Sequence, residues 1–314
     1  MPIYERIQRP KSSILVFLQT LFIPWVFRNE LHQTDLLKTN QVWGGWVAVI
    51  TKWLYNKPLL VRGGYEPNIH SIIYGSKVIR RYIIWLVSVI TYKYADHIWL
   101  NTKEIAYFVE KTFRVKSKRI TVLPNWIDTN KFYSSSMNNR QKGRILFVGR
   151  LSKEKNILLL FKAISGTEVV LDIIGDGELK DMLHEQKEIL GVPVNFLGQI
   201  PNDQMPIIYN SYSVYVICSD IEGNPKSLLE AMSCGCAVIG TDTPGIREII
   251  KNEYTGLLVK PDKNQIREAV LNLMSNPILC EDLAKRARQQ IIQQNSHLNY
   301  LSKEISVYKN LLRR

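Results

Sequence analysis

Acidic residues are scarce in the first part of the sequence, and cysteine is scarce throughout. Residues 1–141 hold 8 Asp and Glu against 20 Lys and Arg, whereas residues 142–314 hold 20 against 21. The net charge of +13 therefore sits almost wholly in the first part. That part is expected to face something anionic: a membrane surface, a phosphorylated substrate or nucleic acid. No nucleic-acid-reading motif accompanies the charge, so nucleic acid is set aside as a partner. The four cysteines, Cys218, Cys234, Cys236 and Cys280, are too few and too apolar in setting for a disulfide scaffold. Cys234-Gly-Cys236 lacks zinc spacing and has no matching pair, which leaves buried thiols in a reducing compartment. No Asp-x-Asp occurs; Asp220-Ile-Glu222 is the nearest approach. Long apolar runs are missing too. SSILVFLQTLFIPWVF (12–27) follows a basic start, but it is shorter than the ~20 residues of a spanning helix. It carries Gln19, Thr20 and Pro24, and no small-x-small cleavage site follows, so a buried or interfacial helix is expected. YIIWLVSVITYKYADHIWL is broken by Lys93, Asp96 and His97.

What is present is a globular α/β composition, 46% hydrophobic and 22% charged, long enough for two domains. In the second part RILFVG (144–149), VVLDIIG (169–175), PVNFLG (193–198), SVYVIC (213–218) and CAVIGT (236–241) read as strands. Helical patterns such as NILLLFKAI (156–164) and ELKDMLHEQKEIL (178–190) alternate with them. That alternation predicts a parallel sheet covered on both faces. TDLLKT (34–39), KPLLVR (57–62), HIWLNT (97–102) and RITVLP (119–124) repeat the theme less completely. The polar stretch MNNRQKG (137–143) reads as a linker. The expected domains are 1–141, 142–290 and a closing amphipathic helix within 291–314 that returns to the first domain.

Two stretches carry chemistry. In VGRLSKEKN (148–156) a strand ends at Gly149 and is followed by Arg150 and Lys155, just before a helix. Two cations at a strand's carboxyl end suit a diphosphate, Arg150 by a bidentate contact and Lys155 as a mobile charge. In SDIEGNPKSLLEAMSCGCAVIGT (219–241) the loop Ser219 to Asn224 leads to Pro225 at the first helical position. Lys226, Ser227 and Leu228 then offer free backbone N–H groups to an anion. Glu222 lies before that helix and Glu230 roughly 7 Å along it. A phosphate at the helix tip would have one carboxylate on each side, each able to accept hydrogen bonds from hydroxyl groups.

IEGNPKSLLEAMSCGCAVIGTDTPGIREII resembles the Glu-x7-Glu region of glycosyltransferase family 4, the retaining nucleotide-sugar glycosyltransferases of the GT-B fold. FVGRLSKEKNILLLFKAI is similar to that family's diphosphate-binding segment, and LDIIGDGELKDML and VNFLGQIPNDQMPIIY to the strands and loops of its nucleobase pocket. The likeness is dense over residues 119–260. It implies two facing Rossmann-like, doubly wound domains and transfer of a sugar with retention. By the same likeness Arg150 and Lys155 neutralise the departing diphosphate and Glu222 binds the donor sugar. Gly149 and the backbone of Gly223, Asn224, Pro225, Lys226, Ser227 and Leu228 surround sugar and phosphate. Glu230 holds the ribose, and Gly198 and Ile200 border the base. No cofactor and no metal are expected. The donor is a nucleoside-diphosphate-sugar and the acceptor a lipid-linked surface glycan, met at the cytoplasmic face of an anionic membrane. In SKVIRRYIIWLVSVI (76–90), Lys77, Arg80 and Arg81 suit lipid headgroups while Ile83, Trp85 and Leu86 suit the interface.

The sequence departs from the family in two places. No strand with a Gly-rich loop precedes TDLLKT, so the first domain is expected to be incomplete. Where the family often has His, this chain reads Arg62-Gly63-Gly64-Tyr65-Glu66, and the glycines serve either a close ligand approach or a plain turn. The alternative to a working transferase is a shortened or degenerate member that binds nucleotide without efficient turnover.

Overall fold

The computed structural model describes residues 13–64, 66–135 and 140–313. The basic start of the chain, Tyr65 and residues 137–139 of the expected linker lie outside them. The chain divides into two units, Met1–Val122 with Ser306–Arg314, and Leu123–Ile305.

In unit 1, α1 (Ser13–Leu21), α2 (Ile23–Val26) and α3 (Arg28–Gln33) precede β1 (Leu37–Thr39). The helices α4 (Gly45–Tyr55), α5 (Pro67–Ile73), α6 (Val78–Tyr94) and α7 (Lys103–Phe113) alternate with β2 (Leu59–Gly63), β3 (His97–Leu100) and β4 (Ile120–Val122). The four strands are parallel and lie in the order β1-β2-β3-β4. Their apolar residues Leu59, Val61, Ile98 and Leu100 pack with Val49, Tyr92 and Val109 of the covering helices. Glu66 caps α5 by accepting from Asn68 N at 3.2 Å, and Thr102 caps α7 by accepting from Ile105 N at 3.2 Å. The 12–27 run is not one helix: α1 ends at Leu21 and Pro24 lies inside the short α2. Nor is it buried as a whole, because Leu18, Phe22 and Trp25 are exposed. Among the described residues no helix is long and apolar enough to cross a membrane.

Unit 2 is a six-stranded parallel sheet of β5 (Gln141–Val148), β6 (Val170–Ile174), β7 (Val194–Gly198), β8 (Tyr212–Ile217), β9 (Ala237–Thr241) and β10 (Leu257–Val259). Its helices are α8 (Ile157–Ile164), α9 (Lys180–Leu190), α10 (Met205–Asn210), α11 (Lys226–Ser233), α12 (Pro244–Arg247), α13 (Lys263–Ser275), α14 (Pro277–Gln294) and, as far as Ile305, α15 (His297–Leu312). The strand order β10-β9-β8-β5-β6-β7 is that of a doubly wound sheet. Alternate residues serve opposite faces, as the period of a strand requires. Ile145, Phe147, Val214, Val216 and Ile239 build one core with α8, α9 and α13. Leu146, Tyr215, Ile217 and Val238 build the other with α10, α11 and α12. The division of the chain falls between Val122 and Leu123, whereas the polar stretch suggests 141/142. Ile127 and Phe132 already pack in the second core of unit 2, and residues 141–143 are the start of β5, not linker. From Ser306 on, α15 groups with unit 1, where Tyr308 Oη accepts from Lys38 Nζ at 2.8 Å.

Candidate functional site

In a doubly wound sheet the ligand crevice opens at the carboxyl ends of the strands where the order reverses. Here the reversal falls between the neighbouring strands β5 and β8. The loops leaving these two strands are the two stretches singled out in the sequence, residues 149–156 and 218–225.

The first loop is held close to the sheet. Gly149 N donates to Ile174 O at 3.0 Å and Leu151 N to Asp176 O at 2.9 Å. Gly175, at φ +141°, approaches so near that an added Cβ would stand 1.9 Å from Gly149 O. Only glycine fits there. Arg150 is exposed at the strand's end. Lys153–Lys155 form a 3₁₀ turn that closes on Asn156 in the left-handed region, at φ 50°. The second loop is stitched to the first. Asp220 N donates to Glu154 O at 2.9 Å, and Asn156 Nδ2 to Asp220 Oδ1 at 2.8 Å. Thr241 Oγ1 on β9 holds Ser219 O at 2.7 Å. A Cβ on Gly245 would stand 2.3 Å from the carbonyl oxygens of Glu222 and Gly223, so the turn after β9 braces the loop from the other side.

Within this frame Lys155 Nζ lies 2.5 Å from Glu222 Oε1, to which Ser219 Oγ also donates at 2.7 Å. Asn224 accepts from Asn125 N at 2.8 Å through Oδ1, and its carbonyl from Asn125 Nδ2 at 2.6 Å. Asn125 O is held in turn by Asn295 Nδ2 at 2.8 Å. Pro225 is the cap residue, in extended conformation, and α11 starts one residue later than the sequence suggests, at Lys226. The amides of Lys226, Ser227 and Leu228 have no carbonyl of a preceding helical turn to bond, so they are available to an anion. Lys226 Nζ lies over the Trp126 ring at 5.5 Å.

Tyrosines set the side chains farther along α11. Tyr215 Oη donates to Ser227 Oγ at 2.9 Å, and Tyr209 Oη to Glu230 Oε2 at 3.0 Å. Burial pushes Glu230 above the ordinary carboxylate range, against the pull of the Tyr209 hydrogen bond and the charges of Lys226 and Lys131. At the far end of α11, Arg140 Nη2 donates to Cys234 O at 2.8 Å and Arg288 Nη1 to Ser233 O. Both cations meet the negative end of the helix dipole. Gly198 ends β7, and its carbonyl accepts from Gly175 N at 2.8 Å, which ties the expected base-side loop to the Gly149 loop. Ile200 packs against the second core.

Lys155 and Glu222 thus meet on the loops that lead to α8 and α11, Glu230 lies beyond the first turn of α11 beside Tyr209, and Arg150 sits at the end of the neighbouring strand. The arrangement differs from the expected phosphate with a carboxylate on each side, because Glu222 already holds a cation. Ser219, Tyr209, Tyr215 and Asn125 escape sequence reasoning: nothing in their spacing ties them to Glu222, Glu230, Ser227 and Asn224. All four cysteines are free and buried, and burial pushes the Cys236 thiol up to about 11. Among the described residues no three His, Cys, Asp or Glu side chains are grouped to hold a metal ion.

Comparison with known proteins bears on the same residues. The family described as Glycosyl transferases group 1 matches residues 129–290, and Glycosyltransferase Family 4 matches residues 2–131. An α-1,4-N-acetyl-D-galactosaminyltransferase of Campylobacter jejuni, named for a GalNAc-α-(1→4)-GalNAc-α-(1→3)-diNAcBac-PP-undecaprenol acceptor, is 30% identical over 166 residues. The match takes in 51% of this chain and 46% of that enzyme, so the chain spans about half of that relative's length. A second enzyme of that organism, N-acetylgalactosamine-N,N'-diacetylbacillosaminyl-diphospho-undecaprenol 4-α-N-acetylgalactosaminyltransferase, is 28% identical over 295 residues, 88% of this chain and 78% of the enzyme. In structure the chain is similar to Anabaena HepE, solved in complex with UDP and glucose, with a TM-score of 0.81 and 18% identity over 96% of this chain and 84% of that one. The group 1 match alone takes in half of the chain, and that half holds Arg150, Lys155, Glu222, α11 and the doubly wound sheet that brings them together. The chain belongs to glycosyltransferase family 4.

Proposed function

We propose that this protein transfers a sugar from a nucleoside-diphosphate-sugar to a lipid-linked glycan, with retention of configuration, at the cytoplasmic face of a membrane. The observation that carries the reading is the Lys155–Glu222 pair beside the first turn of α11, at the switch point of the sheet. A donor offers both partners what they need: diphosphate oxygens for the cation and sugar hydroxyls for the carboxylate. The acceptors for which the two Campylobacter enzymes are named, both diphospho-undecaprenol glycans, support the acceptor class, and the UDP and glucose of HepE support the donor class.

In this reading the bond from the anomeric carbon to the diphosphate breaks, and negative charge grows on the leaving oxygen. Arg150, Lys155 and the amides of Lys226 to Leu228 meet that charge, and they stabilise it most when the bond is most broken. The acceptor hydroxyl bonds to the anomeric carbon from the face being vacated and gives its proton to the departing diphosphate. No carboxylate serves as nucleophile and no metal takes part. Glu222 and the backbone from Gly223 to Ser227 orient the sugar, Glu230 accepts hydrogen bonds from the ribose, and Gly198 and Ile200 border the base. Incubation of the protein with UDP-sugars and a polyprenyl-diphosphate-linked glycan, read by anomeric NMR, tests this. Expected are an α-linked product from an α-linked donor and a rate unchanged by EDTA. Inverted product, or loss of transfer on chelation, overturns the reading.

A second reading, nucleotide binding without efficient turnover, draws on unit 1, whose sheet has four strands among the described residues. Calorimetric binding of a nucleoside diphosphate with no transfer to any acceptor would favour it.

A further inference from the structure

We infer that the outer face of the α5–α6 hairpin docks the protein on a bilayer, and that the groove this hairpin forms beside α7 seats an acidic phospholipid. A buried polar network latches the two helices of the hairpin together, and Tyr92 of α6 packs in the core of unit 1 with Leu59, Ile98 and Val109. Asn68 Nδ2 donates to Glu66 Oε1 at 2.6 Å and to Ser88 Oγ at 2.8 Å, and Tyr92 Oη donates to the other Glu66 oxygen. Ile84, Ser88, Thr91 and Tyr92 form the buried stripe of α6. The hairpin is therefore a fixed part of the unit, and its outer face has a defined direction.

That outer face is apolar where water would favour polar groups. Val78 is 80% exposed and Ile79 77%, with Ile72, Ile73, Tyr82 and Trp85 exposed around them. An apolar patch of this extent marks an interaction site. Its charge identifies the partner. Residues 67–95 contain no Asp or Glu, while Lys77, Arg80 and Arg81 are all exposed. Among the described residues no carboxylate pairs with these three cations. Cations beside apolar and aromatic side chains match the boundary of an anionic leaflet. Tyr82 and Trp85 stack with ring centroids 6.1 Å apart, the amphipathic pair suited to the headgroup level.

A groove of about 380 Å³ opens in the same face. Ile72, Val78 and Phe108 supply apolar wall and Tyr82 and Trp85 aromatic wall, and among the described residues Arg81 is the one charged group that lines it. Of its polar residues, Asn68 and Ser71 are engaged within the protein, Ser71 Oγ donating to Asn68 O at 2.9 Å, and Thr112 is exposed at the α7 side. What remains suits one phosphate at Arg81 and the first carbons of a chain along Ile72, Val78 and Phe108.

Vesicle flotation of the full chain tests the surface, on phosphatidylcholine alone and on phosphatidylcholine mixed with a quarter of phosphatidylglycerol. Wild type is expected to float with the mixed vesicles and to be released as salt rises. Arg80→Glu with Arg81→Glu should weaken that partition by at least roughly tenfold, since each cation near the surface accounts for about fivefold. Val78→Ser with Ile79→Ser, both far out in solvent, should fold as wild type by circular dichroism and lose binding to the mixed vesicles. Unchanged flotation of either double variant overturns the docking surface. A wild-type dimer that Val78→Ser with Ile79→Ser converts to monomer, with vesicle binding intact, also overturns it and makes the patch a self-contact.

For the groove, dihexanoyl phosphatidylglycerol should shift tryptophan emission, glycerol phosphate should not, and Trp85→Phe should remove the shift. No shift with the short-chain lipid, or an equal one with glycerol phosphate, overturns the groove assignment. None of these measurements needs sugar transfer, and nucleotide titration of the same variants reports separately on the crevice.

Discussion

Lys155 and Glu222 stand 67 residues apart in sequence and 2.5 Å apart in the fold, on loops that leave the adjacent strands β5 and β8. Both side chains are largely shielded from water. The cation assigned to the diphosphate is thus compensated, before any donor arrives, by the carboxylate assigned to the sugar. A nucleoside diphosphate drawing on Lys155 leaves Glu222 with Ser219 alone, whereas a sugar nucleotide replaces the lost partner with its own hydroxyls. On the proposed reading donor should then be held in preference to product, which would favour release after transfer.

Glu222→Gln should abolish transfer and at the same time tighten nucleoside-diphosphate binding a few-fold, because Lys155 loses its competing anion. Losing a hydrogen bond to a charged group costs about 1.5–3 kcal/mol, and here the donor sugar alone suffers it. Isothermal calorimetry with UDP, beside a transfer assay, checks both halves. Weakened UDP binding would contradict the pairing argument.

Arg150→Ala and Lys155→Ala should each lower kcat more than they raise KM, since charge on the leaving diphosphate grows toward the transition state. Lys155→Ala should also weaken UDP binding by leaving Glu222 to repel the phosphates. Lys155→Ala combined with Glu222→Gln should recover part of that affinity, a coupling expected of groups in direct contact. A change confined to KM in both single variants would reduce the cations to binding groups.

The strands were legible because a buried parallel strand writes itself as an apolar run; VVLDIIG and SVYVIC are examples. The exception is β10, three residues after Tyr254-Thr255-Gly256, too short to stand out from its polar flanks. Glycine and proline punctuation located the two loops of the crevice. The stitches between them were not legible, since Asp220–Glu154 and Asn125–Asn224 join residues 66 and 99 positions apart with no periodicity to betray them. The polar stretch at 137–143 misled for a different reason. Polarity marks where a chain is solvated, while packing changes where Leu123, Ile127 and Phe132 become buried.

Glu230 makes nucleotide binding sensitive to acid. Its carboxyl is raised by burial, and on the proposed reading the charged form is the one that accepts from the ribose. UDP affinity should therefore fall as pH drops, starting above the ordinary glutamate range, and Glu230→Gln should flatten the profile. Tyr209→Phe removes a hydrogen bond that lowers the Glu230 value, so the falling edge should move to higher pH. The stability effect has the opposite sense. A raised folded-state value means a contribution that is full below the unfolded value of 4.5 and lost as pH rises through the folded one. Glu230→Gln should accordingly melt higher than wild type at neutral pH, with the difference vanishing near the unfolded value, while its UDP affinity is weaker by about 1–3 kcal/mol. Thermal scans across pH would refute this if the glutamine variant were the less stable at neutral pH.

Asp172 separates stability from the crevice. It is fully buried on β6 and accepts from Arg144 Nε at 2.7 Å and Nη2 at 2.5 Å, from Asn195 Nδ2 at 2.8 Å and from Tyr212 Oη at 2.8 Å. Its donors come from β5, β7 and β8, so one carboxylate ties four strands of the sheet together. Burial, followed by the hydrogen bond to Asp172, holds the Tyr212 hydroxyl well above its ordinary value. Asp172→Ala strands the buried Tyr212 hydroxyl and a half-screened guanidinium, with the exposed Asn195 amide left to water, and breaking such a pair costs about 3–5 kcal/mol. In a unit of this size that lowers Tm by roughly 6–20 °C. Arg144→Ala should cost less, because Arg144 is partly exposed and Asp172 keeps Tyr212 and Asn195. None of these residues lies in the loops at the carboxyl ends of β5 and β8, so UDP affinity measured below the melting transition should match wild type. A loss of affinity in folded Asp172→Ala protein would show that strain at the centre of the sheet reaches the phosphate-binding turn, and Asp172 would then belong with the residues that set the crevice.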